Sequence, residues 1–149
     1  MGKLAEGEIL ETWAGFLFAH ARVVRGLERD MLEQQGLSLT WFDVMGRLKQ
    51  APDRRLRMHE LEDASVFTRS GMTRLVDRIE AAGFVRRVRS SEDRRGVYVE
   101  ITSAGIEKID AVWPDHVASI ERLFGRYIGP AEATALQRVS TRIREGHPE

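Results

Sequence analysis

Residues 70–101 read SGMTRLVDRIEAAGFVRRVRSSEDRRGVYVEI, and the apolar period changes within this stretch. Up to Gly83, the residues Met72, Leu75, Val76 and Ile79 recur at steps of three and four, which marks one buried helical stripe. Arg69, Ser70, Thr73, Arg74, Asp77 and Arg78 lie off that stripe. Thr68 is a fitting N-cap and Gly83 a fitting stop. Beyond Gly83 the pattern becomes strand-like over 84–89 and alternates cleanly over 97–101. Ser90-Ser91-Glu92-Asp93-Arg94-Arg95-Gly96 lies between them as a polar loop. A polar-faced helix thus runs directly into a hairpin with a basic tip.

Upstream, 58–64 reads as a short helix with Met58, Leu61 and Ala64 inward, preceded by a minimal strand at 55–57. Ala51-Pro52-Asp53 is a break. Before it a helix begins near Thr40, a good N-cap residue, and buries Trp41, Val44, Met45 and Leu48. The first helix, 8–35, carries Ile9, Trp13, Phe16, His20, Val24, Leu27 and Met31 at helical steps, and Gly36 ends it. Leu10, Leu17 and Ala21 widen its apolar surface beyond what one small domain can cover, so part of it is expected to pack on a second copy. Downstream, Thr102 caps a helix with Ile106, Ile109, Trp113, Val117, Ile120 and Phe124, and Pro114 is expected to kink or interrupt it. Pro130 opens a last helix with Leu136, Val139 and Ile143 on one side. The expected fold is mainly α with a small β hairpin (α+β): a winged helix-turn-helix lobe over 37–102, with helical dimerisation segments 1–36 and 103–149, in a single domain.

The chain of 149 residues is 42% hydrophobic and 31% charged, in the range of ordinary globular proteins. Its formal net charge is zero, which alone argues against a polyanion partner. The distribution argues otherwise: residues 54–95 hold 11 Arg and no Lys against 7 acidic residues, a local excess of four positive charges balanced elsewhere. No apolar run reaches membrane-spanning length and the first residues lack a signal-peptide plan, so a cytoplasmic protein without a membrane partner is expected. Heavy use of Arg over Lys fits a GC-rich bacterial genome.

A short helix, a turn and a second helix rich in Arg, Ser and Thr is the helix-turn-helix plan, in which the N-terminal residues of the second helix meet base edges in the major groove. Arg pairs bidentately with guanine, and Ser and Thr accept or donate to bases and phosphates. The hairpin tip places Arg94 and Arg95 where a narrow minor groove would attract them, with Asp93 suited to orienting one of them. Each signal is common by itself. Their succession within about forty residues is specific to nucleic-acid recognition.

The string Ser70-Gly71-Met72-Thr73-Arg74-Leu75-Val76-Asp77-Arg78-Ile79-Glu80-Ala81-Ala82-Gly83-Phe84-Val85 resembles the recognition helix and first wing strand of the MarR family. Asp93-Arg94-Arg95-Gly96, followed by Val99-Glu100-Ile101-Thr102-Ser103-Ala104-Gly105, resembles that family's wing and the start of its next helix. The resemblance is strong over 65–106 and extends to the order of the flanking helices. It implies a homodimeric transcriptional regulator, usually a repressor, on a pseudo-palindromic double-stranded DNA operator with half-sites about 10 base pairs apart. Arg69, Ser70, Thr73 and Arg74 would meet the major groove or its phosphates; Arg94 and Arg95 would serve the wing, with Asp93 as orienter.

Members of the family often release DNA on binding a small aromatic or anionic effector, and Trp13, Phe16, His20, Trp41, Phe42, Met45, Trp113 and His116 are candidates to line such a pocket. Aromatic residues at helical spacing serve as core or interface more often. No cofactor is expected. The chain has no Cys, which excludes a thiol-based peroxide sensor and leaves methionine oxidation open. His20, His59, His116 and His147 fall on separate segments without the spacing of a helix-borne metal site. No nucleophile elbow, phosphate loop or dinucleotide fingerprint is present, so an enzyme is not expected.

Overall fold

Gly83 takes φ +84°, a conformation that costs a side-chain-bearing residue energy, and there the recognition-type helix stops and the wing strands begin. The computed structural model describes residues 4–65, 71–89 and 96–146. Along them run α1 (Glu6–Gln35), α2 (Leu39–Gln50), β1 (Arg55–Arg57), α3 (Met58–Ala64), α4 (Met72–Ala81), β2 (Val85–Arg89), β3 (Val97–Ile101), α5 (Ser103–Leu123) and α6 (Pro130–Glu145), with 3-10 turns at Pro52–Arg54 and Gly125–Tyr127. This is the order the periodicities give. Thr68 and the wing-tip loop lie outside the described residues.

Two compact units emerge. One is Glu28–His116; the other comprises the chain on either side of it. The boundaries fall inside α1 and α5, whereas the sequence divided the chain at 36/37 and 102/103. The end of α1 and the first half of α5 therefore belong with the lobe.

In that lobe, Val44, Met45 and Leu48 of α2, Leu61 of α3, and Leu75, Val76 and Ile79 of α4 form a buried core. Val85, Val99 and Ile101 of the sheet and Ile109 and Val112 of α5 complete it. Each such side chain withdrawn from water contributes about 1.5–3 kcal/mol before entropy is counted. The sheet is antiparallel in the order β1-β3-β2, with Leu56 opposite Val99, Val85 opposite Ile101 and Arg89 opposite Val97. Alternation sends Arg55, Arg57, Arg86, Tyr98 and Glu100 to the outer face. There the guanidiniums of Arg55 and Arg57 lie 4.8 and 5.1 Å from the Tyr98 ring centroid, and Arg86 pairs with Glu100 at 2.5 Å. The start of α5 is pinned to this sheet. Thr102 Oγ1 accepts from Gly105 N–H (3.1 Å) and donates to the Gly83 carbonyl (2.7 Å). A Cβ on Gly105 would sit 2.2 Å from the Phe84 carbonyl oxygen, so only glycine allows this approach.

In the other unit, α6 buries none of its residues within the chain, and Ile143 is 75% exposed. The N-terminal part of α1 likewise leaves Trp13, Phe16 and Phe18 more than half exposed.

Two local expectations are corrected. Ser38, not Thr40, caps α2: its backbone is extended and its Oγ accepts from Trp41 N–H (3.2 Å). The helix starts early because Glu28 of α1 takes the Leu39 N–H (2.6 Å), satisfying another free donor of the first turn. Pro114 does not interrupt α5, which runs unbroken from Ser103 to Leu123. Proline removes one helical bond, to the carbonyl of Asp110, and both residues are exposed, so water can take that carbonyl.

Candidate nucleic-acid interface

Helix α4 sorts its side chains by face. Met72, Leu75, Val76 and Ile79 are buried, while Thr73, Arg74, Asp77 and Arg78 are exposed. Among the described residues Arg74 and Arg78 form no hydrogen bond or ion pair, which leaves two guanidiniums available to an external anion. Of the recognition-helix residues named from sequence, Thr73 and Arg74 stand on this exposed face. Arg69 and Ser70 lie outside the described residues, as do the wing residues Asp93, Arg94 and Arg95. The base of the wing is placed: Arg89 pairs with Val97 at the last rung of the β2–β3 ladder, and the residues between them lead from it.

Arg87 holds the helix and the wing together, a role the sequence reading did not assign. It lies on the inner face of β2, and its Nη2 donates to Asp77 Oδ1 at 2.6 Å while Nη1 donates to Glu80 Oε2. Its backbone N–H also donates to Glu80 Oε1 at 2.8 Å. Both carboxylates belong to α4, so one side chain bolts the recognition helix to the wing strand. Burial opposes the Arg87 charge, yet the hydrogen bonds and charges of Asp77 and Glu80 outweigh it and raise its pKa above that of an ordinary arginine. Asp77, counted with the outward residues from periodicity, therefore serves this brace. The available signal was a pair of acids at i and i+3 on α4, followed by an arginine at an inward strand position.

The candidate effector residues fall into two groups. Trp13, Phe16 and His20 neighbour one another along α1, with ring centroids 6.1 and 6.2 Å apart. In the lobe, Phe42 of α2 meets Trp113 at 6.2 Å and His116 at 4.6 Å. Burial lowers the pKa of His116 below that of an ordinary histidine. Trp41 is half-buried, and Met45 is fully buried among the core side chains. His20 and His59 are exposed, and His147 lies outside the described residues. Among the described residues no group of three or more His, Cys, Asp or Glu is placed to hold a metal ion, and no helix is long and apolar enough to cross a membrane.

A short helix, a second helix with an exposed basic face, and an antiparallel hairpin bolted to it define a winged helix-turn-helix lobe. The chain belongs to the MarR family of transcriptional regulators, a family of regulators and not of enzymes, whose sequence model matches residues 35–96. It is 32% identical over 93 residues to the transcriptional repressor YetL of Bacillus subtilis, a match covering 62% of this chain and 56% of that protein. The match to the repressor MprA of Escherichia coli covers 64% of that protein, so the chain spans between half and two thirds of these curated relatives. Among solved structures it is similar to AbsC, a MarR family regulator from Streptomyces coelicolor, with 30% identity, 97% of each chain covered and a TM-score of 0.84. It is similar also to Sco3205 from the same organism, a MarR family regulator solved in complex with DNA, with 26% identity, 100% of this chain and 94% of that chain covered, and a TM-score of 0.86.

Proposed function

We propose that the protein is a sequence-specific regulator that binds double-stranded DNA as a homodimer on a pseudo-palindromic operator, acting as a repressor that a small aromatic or anionic effector releases. The observation that carries this reading is the exposed face of α4, where Thr73, Arg74 and Arg78 project from a helix fixed to its wing by Arg87. Guanidiniums without a partner among the described residues, on a rigid helix that projects from a core, suit base edges and phosphates. The reading of the dimer rests on the apolar side chains that α1 and α6 leave exposed in the single chain, Phe18 and Ile143 above all. Repression is supported by the printed names of YetL and MprA. A DNA partner is supported by the complex of Sco3205.

Selection of duplexes from a random pool by the purified protein tests this reading. The expected enriched sequence is an inverted repeat with centres about 10 base pairs apart. Enrichment of a single unrepeated site would overturn the dimeric reading, and no enrichment above the starting pool would overturn sequence-specific binding.

A further inference from the structure

The last turn of α1 contains no basic residue of its own, so the negative end of a 30-residue helix has no cation within the helix to meet it. The cation comes from another element. Lys108 Nζ of α5 donates to the Gln35 carbonyl at 2.9 Å. The side chain of the same Gln35 reaches along α5 in the other direction, and its Nε2 donates to Asp115 Oδ2 at 2.5 Å. These two anchors on α5 are separated by about two helical turns, roughly 10 Å at 1.5 Å per residue. One contact between two helices leaves them free to pivot; two contacts at that separation fix a direction.

Both helices continue out of the lobe, α1 backwards past Glu28 and α5 forwards past His116. Resting on the dimeric reading above, we propose that Gln35, gripped by Lys108 and Asp115, is a positioning residue that fixes the angle at which these two helices leave the DNA-reading lobe. It thereby sets the half-site spacing that the dimer accepts. The contacts of Phe42 with Trp113 and His116 hold the same stretch of α5 from the α2 side but carry no directional polar bond. Rigid selection of one spacing needs the directional pair.

The test compares wild type with Gln35→Ala, with Asp115→Ala at an exposed position where truncation leaves the core intact, with Gln35→Glu, and with Gln35→Glu combined with Asp115→Asn. Each is measured for dimer mass, thermal midpoint and affinity for selected duplexes whose half-sites are moved apart or together by about one or two base pairs. Wild type is expected to show a sharp optimum. Gln35→Ala and Asp115→Ala lose about threefold to tenfold at the optimum and little at displaced spacings, so the profile flattens while dimer mass is unchanged. Gln35→Glu sets two carboxylates against each other and flattens it further. Adding Asp115→Asn reverses donor and acceptor and restores the optimum. Loss in parallel at every spacing, an unchanged profile, or no restoration in the double variant would overturn the latch. A monomeric wild type, or one without any optimum, would bring down the dimeric reading and the latch with it, an outcome visible before any variant is made.

Discussion

Replacing Arg87 with alanine removes the bolt between α4 and β2 and leaves most of its surroundings in place. The guanidinium loses its bonds to Asp77 (2.6 Å) and Glu80, while the backbone N–H of residue 87 keeps its bond to Glu80 (2.8 Å). The side chains are partly exposed, 28% for Arg87, 57% for Asp77 and 35% for Glu80, so each pair is worth about 0.5–1 kcal/mol and not the figure of a buried ion pair. The lost packing of the arginine stem adds roughly 0.5–1 kcal/mol. The sum is about 2 kcal/mol, or a thermal midpoint lowered by about 6–8 °C in a chain of this size, measured by circular dichroism. The effect on DNA affinity is bounded by what the brace is worth, so it is at most about thirtyfold. Since Arg87 faces α4 and touches no phosphate, the salt dependence of binding stays that of wild type. Arg87→Lys keeps the charge but not the fork, and retains about half the effect. An unchanged midpoint would refute the brace. A salt slope reduced by about one unit would show that the side chain sits on DNA instead.

Arg74→Ala should leave the midpoint within about 1–2 °C, because the residue is exposed, and reduce the slope of log affinity against log salt by about one unit; an unchanged slope speaks against a phosphate contact. Gly105→Ala places a Cβ 2.2 Å from the Phe84 carbonyl and 2.7 Å from Ile101 Cγ1, and should cost about 2–4 kcal/mol by forcing α5 away from the sheet; an unaltered midpoint would show that the two elements separate freely. His116 has its pKa lowered by burial, so the unfolded chain takes up its proton first as pH falls below the ordinary histidine value of about 6.5. Its contribution is therefore full above that value and shrinks as pH falls toward the lower folded pKa. Denaturant titrations of wild type and His116→Gln should diverge in this pH window, and parallel curves would remove His116 as the titrating group.

What could be read from the sequence was what depends on neighbours along the chain. The stripe of α4, the stop at Gly83, the alternation of β3 and the cap at Thr102 are local patterns. So is the excess apolar surface of α1, which the structure leaves exposed in the single chain. What escaped reading depends on partners far away. Ser38 and Thr40 are equally good caps in isolation, and Glu28 of another helix decides between them. Three arginines stand in β2, and only the approach of Asp77 and Glu80 makes Arg87 the internal one. The pair Gln35 and Asp115 spans 80 residues and leaves no periodic trace. The aromatic set spaced along α1, α2 and α5 read as one candidate pocket, yet helical spacing fixes only the face a residue occupies, not which other helix that face meets.

The most direct measurement of the central claim is fluorescence anisotropy of the purified chain with labelled duplex from the region upstream of its own gene, against an unrelated duplex, at low and moderate salt. Preferential binding to the upstream duplex that weakens steeply as salt rises is the expected result, since phosphate contacts release counterions. Binding that ignores salt, or no binding to any duplex at low salt, would contradict the assignment of α4 and the wing as a DNA-reading surface.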